Sequence, residues 1–155
     1  METLFELGYL GMFLSAFLAA TILPFSSDVI YGIMLLSNYD PVLTTTMASL
    51  GNWLGGMSSY YLGFIGYWAW IEKYWRVKKQ KVEEWRAKLA RFGSWPALIT
   101  WLPIIGDPIA IALGFLKLNV YKVAILMLIG KTLRYVTIGL IIIYFPEMRD
   151  WFIDK

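Results

Sequence analysis

The sequence predicts an all-α integral membrane protein, and three observations support this fold class. Of the 155 residues, 59% are hydrophobic, well above the roughly 45–50% of an average soluble protein. Residues 7–27 and 41–71 carry no charge, and each run reaches the roughly 20 apolar residues that cross a bilayer core as a helix. Eight Trp and ten Tyr suit a protein that meets two membrane–water interfaces.

The charged residues are unevenly distributed. Eight of the 14 Lys and Arg lie between residues 73 and 91. Because this basic block interrupts membrane segments, we expect anionic lipid headgroups, and not nucleic acid, as its partner. The chain has no Cys and no His, which excludes thiol chemistry and argues against a zinc site. The sequence therefore predicts no catalytic residue, metal or cofactor.

The first apolar block, residues 3–37, is interrupted in its middle. Pro24 breaks a helix, and Ser27 and Asp28 follow it directly. Because each arm of the block is short, a re-entrant helical hairpin fits better than two full crossings. A turn at residues 38–41 then leads into a predicted spanning helix at 42–71.

Small residues recur every four positions along this predicted span. Gly51, Gly55, Ser59 and Gly63 would share one helix face. Such a face lets another helix approach closely, so we expect helix packing there. The alternative is that glycine is simply frequent in membrane helices.

Residues 72–92 form a polar and basic linker. Its apolar residues Val82, Trp85, Leu89 and Phe92 would share one stripe of a helix. This pattern predicts an amphipathic helix lying on the cytoplasmic membrane surface. A solvated connecting helix is the alternative.

The second half of the chain repeats the first at an offset of 79 residues. Nine identities align, and five of them fall within ten residues as T-x-L-P-x-x-x-D-x-I. The second break is formed by Pro103, Gly106, Asp107 and Pro108, and Gly130 is the counterpart of Gly51. Paired interrupted segments are typical of transporters. We therefore expect one membrane domain, residues 1–155, with repeats at about 3–71 and 93–146 and a tail at 147–155.

Each predicted half contains one hairpin and one span, which is an odd number of crossings. The second half would thus enter the membrane from the opposite side, as an inverted repeat of a re-entrant hairpin plus a transmembrane helix. The positive-inside rule places the 73–91 segment in the cytoplasm. The turn at 38–44 and both termini would then lie outside.

Five ionisable residues stand out because charges at membrane depth are costly, and one of them, Lys117, would lie only at the interface. Asp28 and Asp107 adjoin the two breaks, Lys131 and Arg134 share a face of the last span, and Asn52 aligns with Lys131. One interpretation is pairing of opposite charges that only allows burial. The other is transport, in which an acid exchanges a proton and a cation binds an anionic headgroup.

Four runs resemble the DedA family, also called the SNARE-associated or VTT-domain family, in its small YqaA-type branch. They are LPFSSDVI, GNWLGGMSSYYLG, WLPIIGDPIAIALGFLKL and GKTLRY, within a resemblance that covers roughly residues 10–137. The resemblance implies an inner-membrane, multi-pass protein that handles lipids, since better-known bacterial members are implicated in flipping undecaprenyl phosphate or phosphatidylethanolamine. Larger members carry two acids at the first break and arginines at the second, where this chain has Asp28 alone and Trp101.

The function expected is therefore a lipid transporter or scramblase that moves a phospholipid or a polyprenyl phosphate. Proton coupling and a homo-oligomeric state are left open. The alternatives are a membrane enzyme acting on a lipid phosphate, a structural protein of the envelope, and a small-ion or drug exporter. An amphipathic cavity joining the four charged residues would favour the transporter.

Overall fold

The computed structural model describes residues 2–21, 27–66, 79–89, 91–102 and 105–145, and every regular element within them is helical. This confirms the predicted all-helical class over those ranges. The elements are α1 (Glu2–Ala19), α2 (Ser27–Leu36), α3 (Pro41–Ile65), α4 (Lys79–Leu89), a 3₁₀ helix (Trp95–Ile99), α5 (Gly106–Phe115) and α6 (Val120–Tyr144).

Several predicted features fall outside the described residues. They are Pro24 in the first break, Pro103 in the second, residues 67–78 and the tail after residue 145. The side chains of Val82, Trp85 and Leu89 are also outside the description, so the apolar stripe of the linker stays a prediction. Phe92 lies beyond the end of α4, in a turn.

The helix α3 is shorter than the predicted span of 42–71. It ends at Ile65 because Gly66 adopts a left-handed conformation with φ of 70°, which glycine reaches without a steric penalty. The Gly66 N–H donates to the carbonyl oxygens of Leu62 and Gly63, each at 3.1 Å. This arrangement satisfies the last turn of the helix and stops it.

One helix in the described part of the chain, α6, is both long and apolar enough to cross a membrane by length and composition. The helix α3 is also 25 residues long, but its mean hydropathy is too low for it to qualify as a candidate span. Four of its polar residues point into the protein, since Thr44, Ser49, Asn52 and Ser59 are buried. The composition of α3 thus reflects contact with other helices more than contact with lipid.

The helix bounds coincide across the 79-residue offset. Adding 79 to the bounds of α2 gives the bounds of α5, and adding 79 to those of α3 gives those of α6. Asn38 and Lys117, also 79 apart, both have a positive φ, of 61° and 52°. The aligned sequences therefore adopt the same local structure from residue 27 to residue 65.

The two long helices begin with the same cap. The Asp40 carboxylate accepts a hydrogen bond from the Leu43 N–H at 2.7 Å, and the Asn119 side chain accepts one from the Lys122 N–H at 3.1 Å. Asp and Asn at this position satisfy a backbone donor that the helix leaves free. These caps explain why α3 starts at Pro41 and α6 at Val120.

The helix contacts are related by the same offset. The pair α1–α3 corresponds to the pair of the 3₁₀ helix and α6, while α3–α5 corresponds to α6–α2. The helices α3 and α6 also pack against each other. Gly51 and Gly55 face α1, Gly63 faces α5, and Gly130 faces the 3₁₀ helix. The face of small residues on α3 thus contacts two helices, α1 and α5.

The halves differ most at the counterpart of α1. By the offset, residues 81–98 correspond to this 18-residue helix, but they form α4, a turn and the 3₁₀ helix. Gly93 in this turn has φ of 60°, and Pro96 lies in the first turn of the 3₁₀ helix. Both residues interrupt an α-helix. In the 79-residue alignment, the linker helix α4 therefore corresponds to the first half of α1.

The contact between α3 and α5 gives a prediction about stability. A Cβ atom at Gly63 would overlap the carbonyl oxygen of Ile111, whereas a Cβ at Gly11 meets nothing within 4 Å. We expect Gly63→Ala to lower the free energy of unfolding by about 1–3 kcal/mol, as overpacking does. The matched Gly11→Ala should be neutral. Thermal unfolding of both variants in detergent tests this, and equal midpoints would contradict it.

Candidate functional site

A buried polar pair joins the two long helices at their middles. Asn52 is the twelfth residue of α3 and Lys131 the twelfth of α6. The Lys131 Nζ donates a hydrogen bond to Asn52 Oδ1, and the two residues are 3% and 5% exposed. A helix of 25 residues is about 38 Å long, so the pair lies well away from both ends.

The surroundings of this pair are arranged around the lysine. The Asn52 amide Nδ2 donates onward to the carbonyl oxygen of Ala16 in α1, at 3.3 Å. A Cβ at Gly56 would lie 2.9 Å from Lys131 Cε and 2.7 Å from Met127 Sδ. Glycine at this position therefore makes room for the lysine side chain, and the amide of Asn52 compensates part of the cost of burying a cation.

An ion pair connects the start of α2 to α6. The Arg134 Nη2 donates to Asp28 Oδ2, and the side chains are 15% and 25% exposed, respectively. The Arg134 Nη1 donates to the carbonyl oxygen of Trp101 at 2.8 Å. The arginine thus links the first break to the region of the second break, and its guanidinium is still accessible at the surface.

Asp107 forms no salt bridge with Arg134. It lies half-buried in the first turn of α5, close enough to Lys131 for each to be affected by the charge of the other. The two acids and two bases therefore form one salt bridge, Asp28 with Arg134, and one longer-range electrostatic contact, Asp107 with Lys131. Their formal charges sum to zero.

A cluster of hydroxyl groups beside the ion pair was not predicted from the sequence. The Ser27 Oγ and the Tyr135 hydroxyl are 2.7 Å apart, and the Arg134 Cζ lies 5.9 Å from the Tyr135 ring centre. The Tyr135 ring also meets that of Tyr31 edge-on, with centres 5.1 Å apart. The sequence offered one signal for this contact. Tyr135 directly follows Arg134 in an apolar segment, and a buried tyrosine hydroxyl usually finds a hydrogen-bond partner.

The residues of the two predicted breaks have defined positions where they are described. Ser27 is buried, as are Gly106 and Pro108. A Cβ at Gly106 would overlap the carbonyl oxygen of Thr100, so glycine lets the chain turn tightly into α5. Lys117, also considered from the sequence, is exposed, and its Nζ lies 5.7 Å from the Phe64 ring centre.

The side chains brought together have the chemistry of ion pairing and hydrogen bonding. Among the described residues, no group of three His, Cys, Asp or Glu could hold a metal ion. A guanidinium can bind a carboxylate or a phosphate through two parallel hydrogen bonds. The arrangement can therefore exchange Asp28 for another anion at Arg134.

Known relatives cover most of the chain. It is 31% identical over 138 residues to the inner membrane protein YqaA of Escherichia coli strain K12, an alignment that covers 86% of this chain and 89% of that protein. The inner membrane protein YqaA of Shigella flexneri matches with the same values. An uncharacterized protein of Haemophilus influenzae is 35% identical over 136 residues, or 82% of each chain. Neither a protein-family model nor a solved structure matches.

The buried pair at the centre of the long helices gives a second prediction. Asn52→Leu removes the amide that accepts from Lys131, and Lys131→Met removes the cation. Because each single change leaves one buried polar group unpaired, the double variant should be more stable than the sum of the two losses implies. We expect a coupling energy of about 0.5–3 kcal/mol from thermal unfolding in detergent.

The matched control combines Asn52→Leu with Lys117→Met, since Lys117 is an exposed lysine. Its two effects should be additive. A coupling as large in the control as in the Asn52–Lys131 cycle would contradict a specific interaction.

Proposed function

Because the chain belongs to the YqaA-type branch of the DedA family, and its named relatives are inner membrane proteins, we propose that it is an inner-membrane lipid transporter. It moves a phospholipid or a polyprenyl phosphate from one leaflet to the other. The observation that carries the proposal is the accessible Arg134, held by Asp28 and by the Trp101 carbonyl part-way along α6.

The proposed architecture is an inverted repeat of two re-entrant hairpins and two spans. The breaks between α1 and α2, and between the 3₁₀ helix and α5, would be the tips of the hairpins. The helices α3 and α6 would cross the membrane in opposite directions. The coincident helix bounds and the exchanged helix contacts support this arrangement, which is common in secondary transporters.

In this arrangement Arg134 binds the anionic headgroup. A phosphate oxygen replaces the Asp28 carboxylate, so the cation exchanges one anion for another and is never left unpaired. An uncharged amide in place of the Asp28 carboxylate would remove the anion that competes with the phosphate for Arg134.

The buried Lys131 has a different part in the proposal. Its charge is opposed by Asp107, and Asn52 holds its ammonium near the centre of the fold. A positive charge at this depth lowers the cost of bringing an anion into the membrane interior. Lys131 therefore assists a headgroup that Arg134 binds.

We propose transport and not lipid-phosphate hydrolysis. A nucleophilic serine needs an oriented base, and the Ser27 hydroxyl is engaged by Tyr135, whose phenol is a poor base at neutral pH. Release of inorganic phosphate from a lipid phosphate by the purified protein would favour the enzyme instead.

A flipping assay tests the proposed transport. The purified protein is reconstituted in liposomes with headgroup-labelled phospholipid, and the initial rate of label exposure is measured. We expect Arg134→Ala to slow flipping about tenfold or more, since a lost hydrogen bond to a charged group costs about 1.5–3 kcal/mol. Asp28→Asn should also change the rate, because it removes the carboxylate that the phosphate is proposed to replace. The exposed cation variant Lys117→Gln is the control, and equal rates in all four proteins would refute the assignment.

Cysteine labelling tests the proposed orientation. The chain has no Cys, so one introduced cysteine reports one site. Ser37→Cys, before α3, and Gln80→Cys, in α4, are both at exposed positions. A membrane-impermeant thiol reagent added to intact cells should label Ser37→Cys only, because the basic segment is proposed to be cytoplasmic. Labelling of both from outside would exclude a crossing by α3.

A further inference from the structure

A groove opens between α2, the start of α3 and the last turns of α6. Its volume is about 250 Å³. Tyr31, Thr45 and Gly139 form its floor, and its rim is made of exposed side chains, among them Val42, Leu140 and Ile143. The size approaches the roughly 300 Å³ at the lower end of ligand pockets.

The corresponding place in the other half of the molecule is occupied. Gly139 corresponds to Tyr60 by the 79-residue offset. Tyr60 is buried, and its hydroxyl donates to the carbonyl oxygen of Leu118 at 2.5 Å. A Cβ at Gly139 would lie 2.5 Å from the Tyr31 hydroxyl, so this glycine makes room for the Tyr31 side chain at the floor of the groove.

The helices beside the groove are also held apart by their sequence. Between α3 and α5, Gly63 and Gly114 bring the two backbones into direct contact. At the corresponding positions of α6 and α2 the chain has Ile142 and Leu35. These larger side chains prevent an equally close approach. The groove therefore follows from these differences between the two halves of the sequence.

The lining is neutral and its polar groups are already paired. The Tyr31 hydroxyl and Thr45 Oγ1 are 2.7 Å apart, and Thr46 Oγ1 donates to the Val42 carbonyl at 2.8 Å. Among the described residues, no charged side chain lines the groove. A ligand gains no ionic contact there, and only an uncharged, apolar ligand is complementary to such a surface.

We infer that this groove binds the acyl chain of a membrane lipid. The inference rests on the proposed membrane location, because only then does the exposed apolar rim face lipid. The Tyr31 ring that forms part of the floor contacts Tyr135, and Tyr135 contacts Arg134. The rings of Tyr31 and Tyr135 thus lie between the bound chain and the proposed headgroup site.

Photo-crosslinking tests the inference. The protein is reconstituted in vesicles of phosphatidylethanolamine and phosphatidylglycerol that contain phosphatidylethanolamine with a diazirine in its acyl chain. Mass spectrometry then locates the adducts. We expect residues 42–46 and 136–143 to be labelled several-fold more than the exposed α1 residues Leu7, Leu10 and Leu14. Equal labelling of both surfaces would overturn the inference.

Two substitutions sharpen this experiment. Thr46→Trp fills the groove from its exposed rim and leaves the Tyr31–Thr45 contact in place, so it should abolish the excess labelling. Ile125→Trp, at another exposed position of the lipid-facing surface, should leave it unchanged. Excess labelling that survives Thr46→Trp would refute the site.

Three further outcomes separate this inference from its alternatives. Rapid formation of a Thr46→Cys disulfide dimer at high lipid dilution would mean that a second copy of the chain covers the groove. Flipping without selective labelling would refute the acyl-chain site alone. Selective labelling without flipping would refute the transport proposal alone.

Discussion

The fold depends on how a cation is accommodated at the centre of two long helices. Lys131 is almost fully buried and donates to Asn52, so α3 and α6 must meet in one register to avoid an unpaired charge. That register sets the positions of the shorter helices that pack on them. It also places Arg134, less than one turn beyond Lys131, beside Asp28 at the start of α2.

Much of the fold could be predicted because the repeat leaves a clear mark on the sequence. The matched prolines and acids located both breaks, and the helix bounds then coincide with the offset. The predicted end of the first spanning helix, at residue 71, was wrong. The apolar run continues past Gly66, but the helix ends at Ile65 because Gly66 takes a left-handed conformation. A hydrophobic pattern indicates which residues are buried, whereas the left-handed residue that ends a helix depends on the local backbone geometry.

The candidate site was predicted in its composition but not in its pairing. Four charged residues in an apolar chain are easily identified, yet the sequence does not show that Arg134 meets Asp28 while Asp107 forms no salt bridge with either base. That choice depends on the relative positions of α2, α5 and α6. The contact of Tyr135 with Ser27 was missed for the same reason, since 108 residues separate them.

The gapless offset has a consequence for the origin of the chain. If the proposed inverted repeat arose by duplication, it required an ancestor of half the length that could insert in the membrane in both directions. Such a dual-topology ancestor has few charges to bias its insertion. In this chain the counterpart of the apolar α1 begins with the basic helix α4. The cationic sequence acquired by the second copy would have ended that freedom and given each half a permanent direction.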